Sequence, residues 1–124
     1  MTKRILVIED QEDNRTILRD LLTAAEFEYL EATDGAEGVD AAERERPDLI
    51  LMDIQLPEID GYEATRRIKA KPELNPIPII AVTSFALSGD DKKAIAAGCQ
   101  DYITKPYSPR ALLAKVREHL GKSE

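Results

Sequence analysis

The chain has a single cysteine, no tryptophan, and aromatic residues at only 5% of its 124 positions. Cys99 has no partner for an internal disulfide, which fits a reducing compartment. It reads as a small packing residue rather than a reactive thiol. No apolar run approaches the ~20 residues that cross a bilayer, and Met1-Thr2-Lys3-Arg4-Ile5-Leu6 lacks the longer apolar core of a signal peptide. A basic excess is missing too: 17 Lys and Arg stand against 24 Asp and Glu, a net charge of -7. That disfavours nucleic acid and anionic membrane as partners. There are no internal repeats and no low-complexity linker. The expectation is a cytoplasmic, globular, one-domain protein, and a hydrophobic fraction of 43% is enough for one core.

What is present is a set of short apolar runs that end in polar groups. Leu49-Ile50-Leu51-Met52 runs into Asp53, bounded by Pro47 and Pro57. Such a run reads as a strand buried on both faces of a parallel sheet. A charge inside that strand would be costly to desolvate, so Asp53 belongs where the strand leaves the core. Ile5-Leu6-Val7-Ile8 is a second branched-rich run and ends in Glu9-Asp10. A weaker edge strand lies at Tyr29-Leu30-Glu31-Ala32. A buried strand over 77–83 ends at Thr83, with Pro78 near its start, and Asp101-Tyr102-Ile103-Thr104 runs into Lys105-Pro106.

Helices fill the intervals. Ile17, Leu18, Leu21, Leu22 and Ala25 share one helical face behind an N-cap at Asp13. Gly35 breaks the chain before a helix over 36–46. A turn-rich loop from Gln55 to Gly61 precedes a helix over 62–71, stopped by Lys71-Pro72. A loop over 84–89 leads to a short helix over 90–97, with Gly98 as a left-handed cap. Ser108 caps a last helix with Pro109 at its first position and Leu112, Leu113, Val116 and Leu120 as its apolar stripe, ending at Gly121. Five strands alternating with five helices define an α/β protein: a doubly wound parallel five-stranded sheet with helices on both faces.

In such a sheet all carboxyl ends share one edge, where ligands bind. That edge collects Glu9, Asp10, Asp53, Thr83 and Lys105. Taken singly, each is ordinary: a solvated acidic loop, a turn cap, a strand-end hydroxyl, a surface lysine. Their arrival at one edge is what carries meaning. Crowded carboxylates repel unless a cation intervenes, and a hard divalent ion such as magnesium suits oxygen ligands. Lys105 and Thr83 could then hold an anion beside the metal, with Asp53 as nucleophile toward a phosphoryl group.

These residues resemble a known family. Ile8-Glu9-Asp10, Leu51-Met52-Asp53-Ile54-Gln55-Leu56-Pro57 with Asp60-Gly61, Val82-Thr83-Ser84, and Tyr102-Ile103-Thr104-Lys105-Pro106 look like the receiver domain of two-component response regulators. The stretch from Asp48 to Gly61, and Thr83-Ser84-Phe85-Ala86-Leu87 with Gly89-Asp90, are most similar to stand-alone regulators of the DivK type. The resemblance implies a flavodoxin-like (βα)5 sheet of order 2-1-3-4-5, and one receiver domain over 1–124 without an output domain. It implies that Asp53 accepts phosphate from a phosphohistidine of a sensor histidine kinase or a histidine phosphotransfer protein. Glu9, Asp10, Asp53 and the backbone carbonyl of Gln55 would hold Mg2+, with Mn2+ able to substitute. Thr83 and Lys105 would bind phosphoryl oxygens, Thr83 and Tyr102 would act as the switch, and Lys105-Pro106 would be cis. Signalling would pass to a downstream protein target, not to nucleic acid or membrane. The chain would catalyse only its own phosphorylation and slow dephosphorylation, not turnover of external substrates. Ser84 replaces the commoner alanine after the threonine. Bulky Phe85, with Gln55, would hinder water and slow hydrolysis.

Two rival readings are weaker. An aspartyl-nucleophile phosphohydrolase wants a second acid two residues after the first, where this chain has Gln55. A flavin module on the same fold needs a phosphate-cradling loop after the first strand, where Glu9 to Asp13 would repel phosphate.

Overall fold

In a computed structural model the described residues are 2–84 and 90–120. They form β1 (Arg4–Ile8), α1 (Glu12–Ala24), β2 (Glu28–Ala32), α2 (Gly35–Glu45), β3 (Leu49–Asp53), α3 (Gly61–Lys69), β4 (Ile79–Thr83), α4 (Asp90–Ala97), β5 (Asp101–Thr104) and α5 (Pro109–Leu120). All strand pairs are parallel and the sheet order is β2-β1-β3-β4-β5. This is the expected doubly wound architecture. Phe85 to Gly89 and Gly121 lie outside the described residues, and with them the role expected of Phe85. Among the described residues no helix is long and apolar enough to cross a membrane.

The pleat sorts the core into two layers, because successive side chains point to opposite faces. Leu6, Ile8, Ile50, Met52, Ile79 and Ala81 pack with Val39, Ala64, Ile68 and Ala94 from α2, α3 and α4. Ile5, Val7, Leu49, Leu51, Ile80 and Val82 pack with Leu18, Leu22, Leu112 and Val116 from α1 and α5. The central strands have apolar residues on both faces, which is why they read as unbroken runs. Register then aligns their ends: Ile8 pairs with Ala32 and with Met52, Asp53 with Val82, and Thr83 with Thr104.

Several boundaries differ from the sequence reading, each for a local reason. Asp13 is not the N-cap of α1; Gln11 is, with extended backbone and no side-chain cap bond. Asp13 sits in the first turn instead, where its charge favours the helix dipole. Gly35 opens α2 rather than preceding it, because Asp34 caps the Glu37 N–H at 2.8 Å, and left-handed Arg46 closes the helix. Likewise α3 starts at Gly61, behind Asp60, whose carboxylate accepts from the Glu63 N–H at 2.9 Å. Only glycine fits there: a Cβ would lie 2.5 Å from the Asp53 carbonyl oxygen and 2.6 Å from the Ile54 Cα.

The end of α3 and the start of β4 also shift. Lys69 is the last residue of α3, and its ammonium donates to the carbonyls of Asn75 and Ile77 at 2.8 and 2.6 Å. The Ile77 carbonyl is thereby engaged and Pro78 has no N–H to give, so the strand begins only at Ile79. Buried Leu74 anchors the turn between them, a core residue that its polar neighbours concealed. Gly98 does take a positive φ of 119°, and Ser108 Oγ accepts from the Ala111 N–H at 3.0 Å as the cap of α5.

Candidate functional site

The pleat that sends Leu49 and Leu51 toward α1 and α5 sends Asp53 the same way, at the last position of β3. Glu9 follows β1 and Lys105 follows β5 on the same side. The Lys105 Nζ lies 3.4 Å from Glu9 Oε1 and 3.4 Å from Asp53 Oδ2. Glu9 and Asp53 are 2% and 4% exposed, so two nearly buried carboxylates share one ammonium. The Lys105–Pro106 peptide is cis, as the resemblance implies.

Backbone donors hold these side chains. The Gln55 N–H donates to Asp53 Oδ1 at 3.0 Å, and the Gln11 N–H donates to Glu9 Oε2 at 3.0 Å. The Lys105 N–H donates to the Thr83 carbonyl at 2.7 Å, which continues the β4–β5 ladder one step past the strand and carries Lys105 to the site. Thr83 itself is fully buried at the end of β4. It lies on the opposite face of its strand from Ile80 and Val82 and on the same face as Ala81, whose β5 partner is Tyr102. Tyr102 is half-buried and packs against the core layer under α2 to α4. The side chain of Gln55 is exposed.

The electrostatics are unbalanced. Burial, and then the charge of Glu9, push the Asp53 carboxyl from its ordinary 3.8 up to about 6, against the pull of the Gln55 N–H and Lys105. Tyr107 is also pushed up, by burial and then by Glu9 and Asp53, so its phenol stands in the field of the acids. Glu9, Asp10 and Asp53 each offer an oxygen, and these atoms lie within 4.8 Å of one another. An all-carboxylate set whose charge a single lysine fails to balance fits a hard, oxygen-seeking divalent cation such as Mg2+. Beside Lys105 opens a groove of about 480 Å³, lined by Ile17, Leu21, Ser84, Pro106 and Tyr107 among others.

The sequence-predicted set of Glu9, Asp10, Asp53 and Lys105 is therefore brought together, with Thr83 at the same edge but on the other face of the sheet. Arg15, near the start of α1, joins this set without any signal in the sequence pattern. Its Nη1 donates to the Glu9 carbonyl at 3.0 Å. No periodicity marks that residue; its distance of one helical turn from Gln11 was the only available hint.

Fold and site together define a doubly wound α/β protein with a carboxylate cluster and a lysine at the topological edge where such folds bind ligands. The model of the response regulator receiver domain matches residues 5–117, and the chain belongs to that family, the receivers of two-component signalling. It is 44% identical over 121 residues to the polar-differentiation response regulator DivK of Brucella ovis, covering 98% of each chain. Its fold is similar to the receiver domain of a sensor histidine kinase from Pseudomonas aeruginosa, with a TM-score of 0.92 and 38% identity over 98% of this chain and 100% of that one. That structure has a magnesium ion coordinated in its active site cleft. A putative response regulator from Chloroflexus aurantiacus superposes with a TM-score of 0.94 at 27% identity, again over 98% and 100% of the two chains.

Proposed function

We propose that this protein is a single-domain, cytoplasmic response regulator that takes a phosphoryl group onto Asp53 from a phosphohistidine of a sensor kinase or phosphotransfer protein. The observation that carries the reading is the pair of nearly buried carboxylates, Glu9 and Asp53, sharing the Lys105 ammonium. Glu9, Asp10, Asp53 and the Gln55 carbonyl would hold Mg2+, for which Mn2+ substitutes. When bound, the metal offsets carboxylate charge and draws a phosphoryl oxygen.

The chain's own residues do the rest. With its carboxyl near 6, Asp53 is mostly ionised at neutral pH. A carboxylate oxygen attacks phosphorus, the P–N bond to the donor imidazole breaks, and the electron pair leaves with that nitrogen, which takes up a proton. An acyl phosphate remains on Asp53. Lys105 and the Thr83 hydroxyl bind its oxygens, and Lys105 is freed for that task because its two carboxylate partners are then engaged elsewhere. Drawing Thr83 toward the phosphate opens space on the α3–α4 face. Tyr102 turns into it, and β5 with its flanking helices presents a changed surface to a downstream protein. The support for that path is the register: Ala81 pairs with Tyr102 and Thr83 with Thr104. Water releases the phosphate slowly, without turnover of external substrates.

The test is incubation with Mg2+ and a labelled small-molecule phosphoramidate. One phosphate per chain, absent in Asp53→Asn, is expected. Multiple turnovers of a generic phosphate ester would instead select the phosphohydrolase, and a labelled Asp53→Asn protein would remove Asp53 as acceptor.

A further inference from the structure

We infer that Arg15 is a positioning residue for the acid pair: its guanidinium bridges the β1–α1 turn to the edge strand β2 and so fixes where Glu9 and Asp10 present their oxygens. This rests on the reading of Glu9 and Asp10 as metal ligands.

The polar groups of Glu9 are tied at several points. Its N–H donates to the Ala32 carbonyl at 3.0 Å, and its carboxylate takes the Gln11 N–H at 3.0 Å and Lys105 at 3.4 Å. Its carbonyl accepts from Arg15 Nη1 at 3.0 Å. Three of these ties are backbone groups or the shared lysine. Arg15 adds a side chain that reaches back from α1 to grip the turn.

Arg15 is itself held. Its Nε lies 3.6 Å from Glu31 Oε1 on β2, and its side chain is only 15% exposed against 44% for Glu31. The Tyr29 hydroxyl donates to Glu31 Oε1 at 2.9 Å and lies 3.3 Å from the Arg15 carbonyl. Tyr29 and Glu31 thus brace both ends of the arginine. The resulting chain Tyr29–Glu31–Arg15–Glu9 runs from the sheet edge to the candidate ligands. A planar guanidinium can serve both directions at once, whereas an ammonium cannot hold that fork geometry. Arg15 grips the main chain of Glu9 rather than its carboxylate, so it acts on ligand placement through the backbone of the turn.

The test is calorimetric titration of Mg2+ into chelator-stripped protein, paired with thermal melts in chelator. Arg15→Ala is expected to bind Mg2+ roughly tenfold more weakly than wild type. Arg15→Lys is expected to recover only part of that loss. Glu31→Gln, which frees one side of the arginine and leaves the fold intact, is expected to weaken binding roughly threefold, and it carries the test if Arg15→Ala does not fold. A merely structural arginine would lower the melting temperature and leave the Mg2+ affinity of the folded protein unmoved; that result overturns the inference. Full recovery in Arg15→Lys overturns it as well, since charge alone would then suffice. A wild-type protein that takes up no Mg2+ overturns the metal reading and this inference with it, and the wild-type titration tells that failure from the others.

Discussion

Asp53 and Asp101 stand at opposite ends of the sheet, one closing β3 and the other opening β5. Each belongs to a group of three side chains able to gather ligand atoms within 4.8 Å: Glu9, Asp10 and Asp53 in one, Asp101, Glu118 and His119 in the other. Their surroundings differ in sign. Asp101 accepts from Lys115 at 3.2 Å on both oxygens, contacts His119 at 2.9 Å and takes the Tyr102 N–H at 2.7 Å. Burial pushes its carboxyl up, but His119, the Tyr102 N–H and Lys115 together outweigh it and hold the group below its ordinary value. Asp53 shares one lysine with Glu9 and is pushed up to about 6. A cluster of acids is therefore not what distinguishes a site. What distinguishes it is charge that the protein itself leaves unbalanced, so that a ligand can balance it.

Neutralising each acid in turn separates the two clusters most sharply. Asp53→Asn removes a like charge beside Glu9 and should raise the stability of metal-free protein at pH 7 by on the order of 2–3 kcal/mol, read from urea melts in chelator. A less stable variant would show that Asp53 is already balanced. The pH profile carries the same point. A carboxyl whose folded value lies above its unfolded one favours the folded state while protonated, so that contribution is present below about 4 and lost as pH rises through about 6. Wild type should therefore lose stability across that window relative to Asp53→Asn.

Next in size is the ligand effect. Mg2+ at ten times its dissociation constant should stabilise wild type by about 1.4 kcal/mol and Asp53→Asn far less, as thermal melts will show. Asp101→Asn should respond to Mg2+ like wild type; a blunted response there would link the two clusters.

The smallest effect is expected at Asp101. Its substitution by Asn should destabilise by about 1 kcal/mol at neutral pH, the opposite sign to Asp53→Asn, because it leaves Lys115 and His119 without their carboxylate. The pH dependence is opposite too. A carboxyl held below its ordinary value contributes stability above the unfolded value, and that contribution disappears on acidification. Equal signs for the two Asn variants in the same urea melts would erase the distinction between the clusters.

Much of this molecule was legible in one dimension. The central strands are unbroken apolar runs because they are covered on both faces, and such runs announce themselves. Ser108-Pro109 and Gly98 marked their helix ends because capping is local chemistry. The boundaries that moved depended on distant partners. The start of β4 waits on Lys69, eight residues upstream of the Ile77 carbonyl it engages. The start of α3 at Gly61 is set by the backbone of Asp53 and Ile54, which no local pattern reports.

The same division holds for the site. Which groups arrive at the carboxyl edge is written in the local pattern: Glu9, Asp10, Asp53, Thr83 and Lys105 each lie at or just past a strand end, and parallel strands end together. How those groups meet is a matter of tertiary packing. It turned Glu9, Asp53 and Lys105 to the α1–α5 face and Thr83 with Tyr102 to the other, set both carboxylates 3.4 Å from one ammonium, and tied the acidic turn to β2 through Arg15. The reason is that strand order is written in local hydrophobic pattern, whereas the charge balance of a buried carboxylate depends on burial and on partners as far as 96 residues away in the chain.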